Sequence, residues 1–276
     1  MQQTKTAAKP LVLKAPGDER HFFSVPAEVS DLSDTFNGNI LVENGAECEI
    51  KRNIIHLINK KPDNLSLAQL SNVLPLTAKV YEDSWRKRSI GIISGETFPL
   101  KDERKLLQTW VAPKPDELIV DVGCSTAFYA RSVLNKEPGA RVVALDFSEE
   151  MLQEARAYCK KENVHAFLLR ADAAYMPFYA ESVDAIVCGG SLNEFADPAR
   201  VLYELRRVLK KDGRCFMMHL LQANTWYGRL LQGGSKTGGL HFWTEQESDD
   251  LFKKSGFTVE RRHTLGVVCF SLLRCA

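Results

Sequence analysis

No stretch of this sequence approaches the roughly 18 apolar residues that a membrane-spanning helix needs. Residues 1–20 hold only the apolar triplet Leu11-Val12-Leu13, short of the roughly 7–15 residues of a secretory h-region. No signal peptide is therefore expected. CxxC pairs are also missing. The seven cysteines, Cys48, Cys124, Cys159, Cys188, Cys215, Cys269 and Cys275, are odd in number and widely scattered. That distribution fits reduced thiols in a cytoplasmic protein and argues against both a disulfide framework and a cysteine metal site. Nor is there an excess of one charge. Lys and Arg total 36 against 35 Asp and Glu, a formal net charge of +1, without the basic footprint of a nucleic-acid binder. Repeats are absent, and 45% hydrophobic with 26% charged residues excludes a fibrous or collagen-like chain.

What is present divides along the chain. A length of 276 residues allows one large domain, or one domain with a smaller appendage. Residues 1–20 read as a mobile tail. Short strand-like pieces such as GNILVE (38–43) and CEIKRNIIHLI (48–58) predict a small β-rich appendage over 21–62. Residues 63–115 read as a helical lid or cap. From 116 the rhythm changes to strand-length apolar runs alternating with amphipathic helices, the pattern of a parallel α/β sheet. The strands are ELIVDVG (117–123), RVVALDF (141–147), HAFLLRAD (165–172), SVDAIVCGG (182–190) and RCFMMHLL (214–221). Ser148 is expected to cap the helix that follows the second strand, and Gly213 to stop the helix PARVLYELRRVLKKDG. Residues 222–243 read as an irregular Gly-rich loop, followed by a helix capped at Thr244 and a closing antiparallel pair.

The first βα turn carries Asp121, Gly123, Cys124, Ser125 and Ala127. Small residues there admit a ligand to the backbone and to the free N–H groups of a helix N-terminus. Neither GxGxxG nor a P-loop is present. Asp121 instead suits a cationic or amine-bearing ligand. Asp146, ending the second strand, is placed to accept from a ribose diol, and Phe147 to pack on a purine. Asp172, ending the third strand, is placed to accept from an exocyclic amine. Each acid alone reads equally well as a helix cap. Three in register with a small-residue turn read as a ligand site.

These residues resemble class I S-adenosylmethionine-dependent methyltransferases over roughly 115–276. VDVGCSTAFYAR resembles the glycine-rich first motif, VALDFSEEMLQEAR the second, and LRADAAYMPFYAESVDAIVCGGSLNEFADPARVLYELRRVLKKDGR the third and fourth. The order is that of the UbiE-like small-molecule subgroup, and Ser125 and Ala127 stand where the family has glycines. The resemblance implies a Rossmann-like seven-stranded sheet, mostly parallel with its last strand antiparallel, and helices on both faces. It implies S-adenosylmethionine as cofactor and S-adenosylhomocysteine as product. Asp121, Gly123, Cys124 and Ser125 would line the methionine part, with Tyr81 over its carboxylate. Asp146, Phe147 and Met151 would hold ribose and adenine, Ala171, Asp172 and Ala173 would frame the adenine edge, and Gly189, Gly190 and Ser191 would face the sulfonium. A plant and cyanobacterial branch carries a zinc-ribbon-like segment before the core. Here only Cys48 remains of it, so no metal is expected.

Methyl transfer demands alignment and a dry site, and a base only where the nucleophile must lose a proton. His219 and His241 are the candidate bases, with a structural role the competing reading for each. Trp85, Trp226, Tyr227, Phe242 and Trp243 make the expected acceptor pocket aromatic, suiting a quinone, phenol, indole or terpenoid product methylated on N, O or C. The competing reading is that these aromatics fill a small core between lid and sheet. The partner is then a small-molecule acceptor and not nucleic acid, with no membrane span and with monomer and homodimer both open. A ribosomal RNA methyltransferase and a catalytically silent cofactor-binding protein are the alternatives.

Overall fold

Near-continuous apolar runs build the central strands, as parallel strands covered on both faces require. In β6 (Leu118–Val122) every residue is buried, and β7 (Arg141–Asp146) and β9 (Val183–Gly189) are buried over most of their length. The computed structural model of the chain describes residues 10–15, 18–42, 45, 47–58, 98–237 and 239–276. β8 (Phe167–Arg170) and β10 (Leu209–Leu220) continue the parallel set, and β11 (Phe257–Leu265) and β12 (Val268–Cys275) close it. Their order is β8-β7-β6-β9-β10-β12-β11, with β12 antiparallel to both neighbours. This is the expected Rossmann-like seven-stranded sheet. The strand order reverses between β6 and β9, the switch point at which open α/β sheets bind ligands.

The N-terminal strands join this sheet. β5 (Ile54–His56) pairs in parallel with β8, and β4 (Glu47–Lys51) and β3 (Gly38–Leu41) follow antiparallel, giving a ten-stranded sheet. β1 (Leu11–Ala15) and β2 (Asp18–Val25) form a separate hairpin whose Leu11, Leu13 and Phe23 belong to the core of one sheet face. The tail expected over 1–20 is thus corrected from Leu11 onward. The cause is a period-2 pattern five residues long, in which Leu11 and Leu13 are buried and Val12 faces out.

Helices cover both faces. α1 (Leu100–Val111), α2 (Phe128–Lys136) and α3 (Glu149–Glu162) pack on one, α4 (Pro198–Val208) and α6 (Glu245–Lys254) on the other. α1 falls inside the expected lid, yet it lies on α2 and β10. Gln108 Nε2 donates to Ser132 O at 2.7 Å, and Tyr129 OH donates to the buried Glu103 at 2.6 Å. The rest of the expected lid, residues 63–97, lies outside the described residues. Ser148 caps α3, its hydroxyl accepting from Met151 N, and Thr244 forms a capping box with Glu247 on α6.

Two expectations are corrected. α4 stops at Val208, not Gly213, because Leu209 turns extended (φ −74°, ψ 132°) and buries its side chain in register with Val183. Gly213 sits inside β10 at a register shift, where a Cβ would meet Leu209. Residues 222–243 are not loop throughout: Trp226–Thr237 is a helix, α5. Gly228 lets that helix approach Ala223 closely.

Candidate active site

The turn after β6 alternates left-handed residues: Gly123 (φ +63°), Ser125 (φ +50°) and Ala127 (φ +60°). Any Cβ on Gly123 would overlap the Ser191 side chain, whose hydroxyl donates to Gly123 O at 3.0 Å. Gly189 is equally constrained, since a Cβ there would press on the Tyr129 ring. Glycines 123 and 189 thus let the Ser191 hydroxyl and the Tyr129 ring pack directly on the ends of β6 and β9. Ala127 heads α2 without a side-chain acceptor, and Asp121 supplies one from the strand, its Oδ2 accepting from Ala130 N at 2.9 Å. Cys124 N donates to Leu145 O at 3.0 Å, and burial pushes the Cys124 thiol well above its usual range.

Asp146 ties the turn to the second strand. Its Oδ2 accepts from Ser125 N at 2.8 Å and its Oδ1 from Ser148 N at 2.9 Å. Burial raises its carboxyl pKa, outweighing these donors, which favour the anion. Ser125 Oγ donates to Met151 Sδ at 3.4 Å, so Met151 of α3 lies against the turn. Ala171 N donates to Asp146 O at 3.0 Å and brings in the third strand's end, where Asp172 Oδ1 accepts from Ala174 N at 2.8 Å. Ala171 and Ala173 are buried, and Phe147 is half-buried. Asp121 and Asp172 each accept from an N–H of the helical turn that follows their strand, whereas Asp146 alone reaches the small-residue turn directly, through Ser125 N.

Two residues went unremarked in the sequence. Arg170 Nε donates to Phe147 O at 3.2 Å and its guanidinium pairs with Glu149 at 3.7 Å, fixing the turn that follows Asp146. Arg170 is itself braced by β5, through Leu57 N donating to Arg170 O at 3.0 Å. Asn193, buried beyond Ser191, accepts from Leu220 N at 2.7 Å and donates from Nδ2 to Leu220 O at 2.9 Å and His241 O at 2.5 Å. Its own carbonyl accepts from His241 N at 2.8 Å. An Asn in a loop gives no sequence signal for such a role, because every partner is backbone brought near by the fold.

Asn193 separates the two candidate bases. It holds His241 at the edge of the β9 turn, where the exposed imidazole stacks on Trp243 at 5.9 Å. His219 is fully buried in β10, edge-on to Phe252 of α6 at 5.5 Å, with no partner for either nitrogen among the described residues. Burial, helped by Arg262, lowers its pKa to about 4, so it is a neutral imidazole in a dry setting. Of the aromatics, Phe242 and Trp243 are half-buried, Trp226 is 73% exposed, and the Tyr227 side chain, Tyr81 and Trp85 lie outside the described residues.

A family model described as a methyltransferase domain matches residues 120–217, from within β6 to within β10. A demethylmenaquinone methyltransferase of Thermotoga maritima is 31% identical over 166 residues, covering 52% of this chain and 71% of that protein. The chain belongs to the class I S-adenosylmethionine-dependent methyltransferases, in their UbiE-like branch. An uncharacterized chloroplastic methyltransferase of Arabidopsis thaliana is 31% identical over 193 residues, covering 66% of this chain and 54% of that one. The chain spans about half the length of the chloroplastic relatives it matches. An Aquifex aeolicus methyltransferase structure shares the fold, with a TM-score of 0.55 at 21% identity over 72% of this chain and 97% of that one. The methyltransferase site fits the family's cofactor in its donors. Asp146 stands at the β7 end with its carboxylate on the Ser125 and Ser148 amides, and the turn after β6 keeps left-handed backbone at three alternate positions, with Met151 against it.

Proposed function

We propose that this chain transfers the methyl group of S-adenosylmethionine to a small apolar acceptor of the quinol or phenol kind. The observation that carries this reading is the Asn193 clamp, which joins the cofactor cradle at Ser191 to the aromatic segment His241–Trp243. When bound, the sulfonium cofactor supplies an electrophilic methyl carbon and a neutral leaving group. Asp146 would hold the ribose hydroxyls, Gly123–Ser125 the methionine part, and Ala171–Ala173 the adenine edge. Gly189–Ser191 would border the transferring methyl, and Trp243 and Phe242 would shield it from water. His241, held at the rim, is the better placed of the two histidines to take a proton from an acceptor hydroxyl. Likeness to a demethylmenaquinone methyltransferase supports a quinol ring. Free thiols throughout suit a reducing compartment, cytosolic or plastid; no helix among the described residues is long and apolar enough to cross a membrane.

The test is transfer of a labelled methyl group to a panel of quinols and phenols, with ribosomal RNA in parallel. Label in a quinol or phenol supports the reading. Label in RNA, or binding of S-adenosylmethionine without transfer to anything offered, overturns it.

A further inference from the structure

The family match over 120–217 contains Asp146, Glu149 and Arg170 but none of the N-terminal appendage. In this chain the appendage reaches all three. β5 lies beside β8 with His56 in register with Arg170, and Arg170 is in turn in register with Asp146 of β7. Residues in register on parallel strands point to one face. Here it is the face of α1, α2 and α3, where Ile54, Leu168 and Ala144, two residues earlier on each strand, share one core. His56, Arg170 and Asp146 therefore form a single row across the carboxyl edge of the sheet, and Glu149, the first residue of α3, pairs with its middle member.

Arg170 grips the chain on both sides of Ser148. Its Nε donates to Phe147 O at 3.2 Å, and its guanidinium pairs with Glu149 at 3.7 Å. Ser148 N is itself a donor to Asp146 Oδ1, at 2.9 Å, so the guanidinium fixes the segment that aims the carboxylate. The appendage in turn fixes Arg170. Leu57 N donates to Arg170 O at 3.0 Å, and the His56 ring is buried alongside. Burial lowers the pKa of His56, and Glu149 and Arg170 are the charges that act on it next. α3 is held as well: Arg156 donates from Nε to Asn53 Oδ1 at 3.2 Å and from Nη2 to Thr35 Oγ1 at 2.8 Å. The two elements that carry Arg170 and Glu149 are thus both bonded to the appendage.

We propose that Arg170, seated by β5, is a positioning residue for the ribose of the cofactor, so that the N-terminal appendage completes the cofactor site. With Asp146 read as the ribose acceptor, on which this inference rests, Arg170 acts through that carboxylate. Its Nε is engaged by Phe147 O and its charge by Glu149, and what it contributes is the direction in which Asp146 points.

The test is a calorimetric cycle on the full chain with S-adenosylhomocysteine and its analogue lacking both ribose hydroxyls. Loss of the diol should weaken binding by about tenfold or more in the unaltered chain. It should cost about threefold or less in Arg170→Gln, and also in Leu57→Pro, which removes the amide that seats Arg170 O. Arg170→Lys keeps a cation for Glu149 without the donor to Phe147 O, and should fall between. A purely structural role weakens both ligands by the same factor, so a diol cost that stays at its full value in these variants overturns the proposal. Asp146→Asn separates the two readings. If the diol cost falls there and nowhere else, the ribose reading stands and the role of Arg170 does not; if it is unchanged in Asp146→Asn, both are overturned. Thermal melting identifies a variant that has not folded, and Arg170→Lys, the mildest change, then decides.

Discussion

Ser125 and Ala127 hold left-handed backbone where the family has glycine, a conformation costing roughly 1–3 kcal/mol for a residue with a Cβ. Hydrogen bonds fix it: Ser125 N to Asp146, and Ala127 N to Cys124 O at 2.8 Å. Ser125→Gly should therefore be tolerated, leaving the melting temperature unchanged or raised. Gly123→Ala should differ sharply, since φ +63° and the overlap with Ser191 act together. It should destabilise by about 1–3 kcal/mol or more in calorimetric melting. At Asp146, Asn substitution removes the anion and turns an amide toward one of two backbone N–H groups. S-adenosylhomocysteine affinity should drop roughly 10–100-fold in a titration, the worth of one to two charged hydrogen bonds. Asp146's place at a strand end in register with the small-residue turn was legible in the sequence; its hold on the Ser125 and Ser148 amides was not, since both partners are main chain. Arg170 was not, since what it grips is a main-chain carbonyl.

At the scale of elements, Asn193 is the hinge pin between the turn after β9, the end of β10 and the rim segment. Asn193→Ala leaves the Leu220 amide and carbonyl without their side-chain partners and removes the donor to His241 O, while His241 N keeps the Asn193 main-chain carbonyl. The expected outcome is a raised acceptor KM, with S-adenosylhomocysteine affinity changed by less than about threefold, a split that general unfolding would not give. The buried parallel strands were legible because burial on both faces leaves no room for polar alternation, and their apolar runs showed it. β1 was not, being five residues long, and α5 was not, because its glycines signal turns locally and serve packing only in three dimensions. The same limit explains α4. Its helical pattern runs on in the sequence past Val208, but pairing of Leu209 with Val183 wins over local propensity.

Across the whole molecule, stability should depend on pH through buried imidazoles. His219 has a folded pKa near 4 against an ordinary 6.5, and burial also lowers that of His56 in β5. The unfolded chain therefore takes up these protons first. Stability is fully present above pH 6.5 and is lost as pH falls toward 4, by roughly 3 kcal/mol for His219 alone. Urea unfolding at pH 7 and pH 5 measures the loss, and His219→Met should flatten it. The sheet itself was legible only in part. Seven strands followed from the core's rhythm, whereas the pairing of β5 with β8 depends on a parallel contact between segments more than a hundred residues apart, which no local pattern encodes.

β12 lies between β10 and β11, so β11 touches the sheet only through a strand that follows it in the chain. As the polypeptide leaves the ribosome, β11 emerges before the strand it pairs with. Until the turn at Gly266 (φ +54°) swings β12 into place, β11 has only α6, paired to it through Arg262 with Glu245 and Asp249, to lie against. That edge of the molecule is consequently the last to form and forms in one step, and slow translation past Leu265 would lengthen the interval in which an unpaired strand is open to chaperones or to neighbouring nascent chains.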